Sequence, residues 1–290
     1  MSGGPASIAP VGAMLGEGPV WIEREQALYF VDIKGPRVFR FDPATERLRS
    51  WQAPRQVGWV LPANDGSLVA GLQDGIHRFD PATGTFDLLV EVESDRPSNR
   101  LNDACTDPAG RIWFGSMDDG ERERSGSYYV YHRGTLTKTT LPPVSITNGP
   151  AISPDGRILY HVDTLGGGIY ASDVAEDGAT GGTRLLAQIE ASDGHPDGVT
   201  VDSEGCVWVG LFGGACARRY APDGKLVQTI SFPVSNITKL AFGGADLRTV
   251  YATTARLHLK PEQLEREAEA GNLFAFRADI PGVPVTPAAL

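Results

Sequence analysis

The sequence predicts an all-β chain folded as a six-bladed β-propeller. Three observations carry that expectation. A turn formula built on Asp and Gly recurs at an interval in the forties. The segments between turns are rich in Val, Ile, Tyr, Phe and Trp, and dividing 290 residues by about 48 gives six units. The 35 glycines and 21 prolines make about 19% of the chain against about 12% in average usage. Both residues penalise helix interiors, so a helical bundle is disfavoured.

The formula stands first as Ala63-Asn64-Asp65-Gly66-Ser67-Leu68. It returns as Thr106-Asp107-Pro108-Ala109-Gly110-Arg111-Ile112-Trp113, as Ser153-Pro154-Asp155-Gly156-Arg157-Ile158-Leu159, and as Asp202-Ser203-Glu204-Gly205-Cys206-Val207-Trp208. Its glycines are 44, 46 and 49 residues apart. A second turn, Phe41-Asp42-Pro43-Ala44-Thr45, recurs as Phe79-Asp80-Pro81-Ala82-Thr83-Gly84. These marks place blades near 18–52, 59–90, 103–141, 149–190, 198–232 and 240–288 of one domain covering 1–290. An N-terminal strand within about 5–15 is then free to pair with the last blade and hide the terminal edges. The sole helix expected is Pro261–Ala270, with Pro at its start and Gly271 just past its end.

Composition narrows the function. A net charge of −10, with no basic stripe, excludes a nucleic-acid binder. No apolar run approaches the roughly 20 residues that span a bilayer, so no membrane partner is expected. The N-terminal stretch carries no Lys or Arg ahead of its weakly apolar run, so a secretory leader is not expected. Cys105, Cys206 and Cys216 form no CxxC, which fits a reduced, cytoplasmic protein with buried thiols. A monomer is expected. No GxSxG elbow, HExxH, GxGxxG or Walker motif is present.

The repeat locates a site without any catalytic motif. In a propeller the entries to the innermost strands converge on the central axis. Eight residues before each turn glycine stand Gly58, Asn102, Asn148 and Asp197; matching the first and last blades adds Glu17 and Lys239. Singly, Asn and Asp cap turns. Four oxygen-bearing side chains in one register point instead to an axial site, where two carboxylates need a cation or fixed hydrogen bonds to offset their repulsion and desolvation. Oxygen-only ligation suits a hard divalent cation. His195, two residues before Asp197, is a candidate for proton transfer or for the rim. Trp59 and Trp208 read as blade-core aromatics, with Trp59 beside Gly58 near a pocket.

Several strings carry a resemblance. They are Leu15-Gly16-Glu17-Gly18-Pro19-Val20-Trp21, Phe30-Val31-Asp32-Ile33, Asn99-Arg100-Leu101-Asn102-Asp103, Trp113-Phe114-Gly115-Ser116-Met117, Ile146-Thr147-Asn148-Gly149, Pro196-Asp197-Gly198, Ala241-Phe242-Gly243-Gly244 and Tyr251-Ala252-Thr253-Thr254-Ala255-Arg256. In these the chain resembles the gluconolactonase/regucalcin (senescence-marker-protein) family of six-bladed propellers, and most of all bacterial sugar-acid lactonases acting on xylono-, arabinono-, galactono- or gluconolactones. The resemblance implies one divalent cation (Ca²⁺, Zn²⁺, Mg²⁺, Mn²⁺ or Fe²⁺) on Glu17, Asn148 and Asp197. It implies that Arg100 and Asn102 hold the substrate. A further acidic contact follows Met117 in Asp118-Asp119-Gly120-Glu121, with Asp119 and Glu121 both candidates.

The expected activity is metal-dependent hydrolysis of a sugar lactone, a pentono- or hexonolactone, to the open aldonic acid, with Asp197 as general base. The alternatives are a calcium-binding regulatory propeller without catalysis, or a hydrolase of other lactones or of organophosphates. Retention of Arg100 and Asn102 beside the metal trio favours catalysis, because a calcium buffer needs no substrate clamp.

Overall fold

The computed structural model describes residues 4–290. After strand β1 (Ala6–Ala9), six four-stranded antiparallel sheets follow one another around a central axis. Blade one holds β2 (Gly16–Ile22), β3 (Ala27–Asp32), β4 (Arg37–Asp42) and β5 (Arg47–Gln52). Blade two holds β6 (Val57–Pro62), β7 (Leu68–Leu72), β8 (Gly75–Asp80) and β9 (Thr85–Glu91). Blade three holds β10 (Asn99–Thr106), β11 (Ile112–Asp118), β12 (Tyr128–His132) and β13 (Thr135–Lys138). Blade four holds β14 (Thr147–Ile152), β15 (Ile158–Asp163), β16 (Gly168–Val174) and β17 (Thr180–Gln188). Blade five holds β18 (His195–Val201), β19 (Val207–Phe212), β20 (Cys216–Tyr220) and β21 (Leu226–Ser231). Blade six takes β22 (Ile237–Gly243), β23 (Thr249–Thr254) and β24 (Leu273–Arg277), and β1 is its outermost strand, pairing Ala6 with Ala275.

The inner strands β2 and β6 are buried along their whole length, whereas outer strands such as β5 and β21 are mostly exposed. Blades stack face to face, so an inner strand is covered on both sides by its neighbours, and the polar residues it carries are buried too. Aromatic pairs fill these interfaces. Trp51 meets Phe79 at 5.5 Å between blades one and two, Trp208 meets Phe242 at 5.7 Å between five and six, and Trp21 stacks on Tyr251 at 5.9 Å where the ring closes. Burying such a side chain stabilises by about 1.5–3 kcal/mol.

The recurring glycines Gly66, Gly110, Gly156 and Gly205 all have φ between +74° and +87°, a region that side chains resist. Blade one has no glycine there, and Gln26 takes the left-handed turn at φ +46° after a single 3-10 turn. In blades three and five the turn is anchored by a buried Asp. Asp107 accepts the Ala109 and Arg111 N–H groups and the Trp113 indole; Asp202 does the same for Glu204, Cys206 and Trp208.

Two elements differ from expectation. Each inner strand begins two to four residues before the expected blade start, because pairing continues beyond a bulge. The helix α1 (Pro261–Arg266) stops early. Its next residue, Glu267, accepts the Ser235 N–H and hydroxyl and leaves helical geometry at φ −111°. The chain then turns so that Gly271, at φ +80°, packs on the backbone of Ala13. Past β24 the chain crosses the base of the ring: Asp202 bridges Gly282, Thr106 donates to the Thr286 carbonyl, and Ala63 bridges Ala288. Val283, Pro284 and Val285 thereby close the lower end of the axis.

Candidate functional site

All six inner strands carry a one-residue bulge at the same level: between Glu17 and Val20, Val57 and Trp59, Leu101 and Ala104, Asn148 and Ala151, Pro196 and Val199, and Ile237 and Leu240. A bulge bends its strand and re-aims side chains. Here it aims them at the axis. Glu17 and Asn148 stand just before the bulge, while Asn102 and Asp197 are its first residue. The difference arises between the bulge and the turn, where blade four has two strand residues, Ala151 and Ile152, and blade three has three, Ala104 to Thr106.

Lys239 is the second bulged residue, so its blade's true counterpart of Asp197 is Thr238. Thr238 is buried, its hydroxyl bonded to the Gly16 carbonyl and to Thr253. Lys239 pairs instead with Asp103, the second bulged residue of the opposite blade, and also donates to the Ala104 carbonyl at 3.3 Å. Blade two supplies no side chain, because a Cβ on Gly58 would lie 2.4 Å from the Asn102 carbonyl oxygen.

Above the Asp103–Lys239 pair lies an open cavity of about 190 Å³, a small pocket that opens to solvent. It gathers Glu17, Arg100, Asn102, Glu121, Asn148, His195 and Asp197. Asp119 is not among its walls. That carboxylate accepts Arg100 Nε at 2.7 Å, Lys34 Nζ at 2.5 Å and Gln56 Nε2 at 3.0 Å, and so fixes Arg100 from behind. Trp59 lines the lower cavity, on the other side of the bulges.

Hydrogen bonds set the orientation of each group. Asn148 Nδ2 donates to Thr164 Oγ1 at 2.8 Å, which assigns Oδ1 to the side facing Asn102. Asn102 Nδ2 donates to that oxygen at 2.9 Å and to the Thr147 carbonyl at 2.7 Å; its own oxygen accepts Arg100 Nη1 at 2.6 Å. Arg100 Nη2 has no hydrogen-bond partner among the described residues. Glu17 accepts the Gly18 N–H at 3.0 Å.

The charges are strained. Burial, followed by the field of Asp103, pushes Glu17 from 4.5 to about 7. Burial, then the charges of Glu17 and Asp103, raises Asp197 well above the carboxylate range. Both acids therefore lack the positive charge that would keep them ionised. Burial likewise lowers Arg100, and Asp119 opposes that shift. Among the described residues no three His, Cys, Asp or Glu side chains gather to hold an ion alone. Two acids with the oriented Asn148 oxygen form an oxygen-only donor set that fits a hard divalent cation.

The repeat did not reveal Thr164, Phe212, Leu257 or His258, which also line the cavity. They sit on or beside inter-strand loops, where no periodicity operates. Lys34 and Gln56 were equally hidden, since each acts only through Asp119.

Fold and site together define a six-bladed propeller with an acidic, oxygen-lined axial cavity open at one end. Residues 15–256 match the model of the SMP-30/Gluconolactonase/LRE-like region, and the chain belongs to that family. It is 34% identical over 271 residues to a 6-deoxy-6-sulfogluconolactonase of Pseudomonas putida, covering 93% of each chain. It is 34% identical to an L-arabinolactonase of Azospirillum brasilense, covering 90% of this chain and 87% of that one. A crystal structure of a calcium-binding regucalcin from Agrobacterium tumefaciens superposes with a TM-score of 0.94 at 27% identity, over 100% of this chain and 98% of that chain. No helix among the described residues is long and apolar enough to cross a membrane.

Proposed function

We propose that the protein hydrolyses a sugar lactone to its open aldonic acid, with one divalent cation held by Glu17, Asn148 and Asp197. One observation carries this reading: two buried acids pushed toward protonation share a cavity with an oriented amide oxygen and a fixed guanidinium. The lactonases of Pseudomonas putida and Azospirillum brasilense support the substrate class.

When bound, the cation supplies Lewis-acid polarisation of the lactone carbonyl and a water of lowered pKa. Asp197 accepts the proton of the attacking water as its oxygen bonds to the carbonyl carbon. The ring C–O bond then breaks, and the proton passes to the departing alkoxide, leaving a hydroxyl and a carboxylic acid. Glu17 and Asn148 fix the geometry. Arg100, held by Asp119 and Asn102, presents Nη2 to the oxygens of the sugar and contributes orientation rather than proton transfer. Glu121, at the mouth, faces the end of the sugar remote from the carbonyl.

A panel of pentono-, hexono-, aryl and acyl lactones, assayed with and without chelator, tests the proposal. The expected result is opening of sugar lactones above the spontaneous rate, abolished by chelator and restored by one of Ca²⁺, Zn²⁺, Mg²⁺, Mn²⁺ or Fe²⁺. Chelator-insensitive turnover would remove the metal from the mechanism. Calcium binding without turnover of any lactone would favour a regulatory propeller.

A further inference from the structure

Two contacts join the same pair of opposite blades, three and six, at two heights on the axis. The Asp103–Lys239 pair lies lower on the axis, where Lys239 lines the lower cavity. At the mouth, Glu121 Oε2 of blade three's loop lies 3.8 Å from Nε2 of His258, on the loop after β23. Both residues line the cavity above Glu17, Asn148 and Asp197.

The contact is longer than a hydrogen bond and the His258 side chain is 62% exposed, so what fixes the pair is the backbone on either side. Glu121 and His258 are both held at positive φ, +56° and +65°, which side chains adopt at a cost. Such outliers persist where surrounding structure enforces them, and they concentrate at ligand clamps. The Glu121 loop is fixed by Asp118, whose carboxylate accepts the Arg122 and Glu123 N–H groups and whose carbonyl accepts the Glu121 N–H. Next to His258, Leu257 donates its N–H to the Met14 carbonyl, and its own carbonyl accepts Asn236 Nδ2 at 2.9 Å. The imidazole also meets the edge of Phe212, from blade five, at 6.2 Å. Each side of the bridge is thus pinned to a different part of the ring.

We infer that His258 is a specificity-determining positioning residue: bridged to Glu121 across the mouth, it holds that carboxylate over the remote end of the sugar, selecting a hydroxyl there against an anionic group. The inference rests on the sugar-lactone reading. A carboxylate at that place accepts a hydroxyl hydrogen bond and repels a sulfonate or a second carboxylate, so discrimination comes from an unfavourable contact as much as a favourable one. His258 never touches the reacting carbonyl. Its loss therefore changes substrate binding and leaves the chemical step alone.

The test uses gluconolactone and 6-deoxy-6-sulfogluconolactone as probes with the full chain at saturating metal. His258→Gly removes the side chain without straining the left-handed backbone, and His258→Asn restores a donor in a residue that tolerates it. An exposed contact of this length is weak, so His258→Gly should raise KM for gluconolactone by no more than about three- to fivefold, with kcat within about twofold. The preference for gluconolactone over its sulfo analogue should fall by the same factor, and His258→Asn should recover part of it. The double variant Glu121→Gln/His258→Gly should be no worse than Glu121→Gln alone. Without substrate, Glu121→Gln should move the NMR signals of the His258 ring. Full additivity, a fall in kcat at constant KM, or unmoved ring signals would overturn the inference. Wild-type protein that opened neither these nor any pentonolactone would overturn the sugar-lactone reading instead, and the ring signals alone would then decide the bridge.

Discussion

Replacing Lys239 by Met keeps an unbranched stem of similar length and removes the charge that faces Asp103. Both partners are buried, with side chains 7% and 1% exposed. In the parent, one Asp103 oxygen takes Lys239 and the Ala104 N–H, while the other has no well-formed hydrogen bond among the described residues. The substitution therefore leaves an uncompensated acid in the centre of the ring. Breaking a buried pair from one side costs about 3–5 kcal/mol. For a chain of this size each kcal/mol moves Tm by roughly 2 °C, so the expected loss is about 6–10 °C. Burial already raises the Asp103 pKa, a shift that Lys239 opposes; without the lysine the acid protonates more readily. A carboxyl group whose folded pKa lies above its unfolded value stabilises at low pH and loses that contribution as pH rises. The Tm deficit should accordingly be larger at pH 8 than at pH 5. Calorimetry of parent, Lys239→Met, Asp103→Asn and the double variant measures both effects, and the double variant should recover most of the loss. A deficit under about 2 °C at pH 8, or losses that simply add in the double variant, would refute the account of the two residues as a coupled buried pair.

Two further predictions concern the cavity. In metal-free protein the Glu17 pKa rises from 4.5 to about 7, so its contribution to stability is present below 4.5 and is lost as pH climbs through 7. Chelated protein should therefore melt lower at pH 8 than at pH 5, and either a saturating divalent cation or Glu17→Gln should flatten that slope; an unchanged slope in both would remove Glu17 from the metal site. Asp197→Asn keeps an oxygen in place but cannot take a proton, so at saturating metal kcat should drop by about 10²–10⁴, after subtraction of spontaneous opening. A variant that kept more than about a tenth of kcat would mean that Asp197 is a ligand and the water needs no protein base.

What could be read from the sequence follows the backbone. Turn glycines such as Gly110 and Gly156 recur because their φ values admit little else, so the spacing of the blades was legible. Three of the axial residues, Asn102, Asn148 and Asp197, came from the same count, since each is tied to its turn by an inner strand of nearly fixed length. Blades one and six have no glycine to measure from; matching them to the other blades found Glu17 but missed by one residue at Lys239, where Thr238 holds the place equivalent to Asp197. It was blind to the Asp119–Lys34–Gln56 cluster and to His258. Their neighbours are made by loops from different blades, and no local pattern in a chain records which loops face each other across a ring.

That division has a consequence for how such a protein acquires its substrate. The acids and the amide sit on bulged inner strands packed between blades, where a shift of one residue would disturb two interfaces. The groups above them sit on loops, 118–126 and 255–260, held by hydrogen bonds to Asp118 and Asn236; Ala255 and Leu257 anchor the second loop in the core, while Glu121 and His258 stand outside it. A change at Glu121 or His258 therefore alters what the mouth accepts while the charge cluster below keeps its geometry. Asp119 couples the two levels: it stands on the loop, yet fixes Arg100, which reaches into the cavity. Loop changes that spare Asp119 can redirect recognition of the sugar. Those that remove it release Arg100, and with it the hydrogen bond from Arg100 to Asn102 that steadies Asn148.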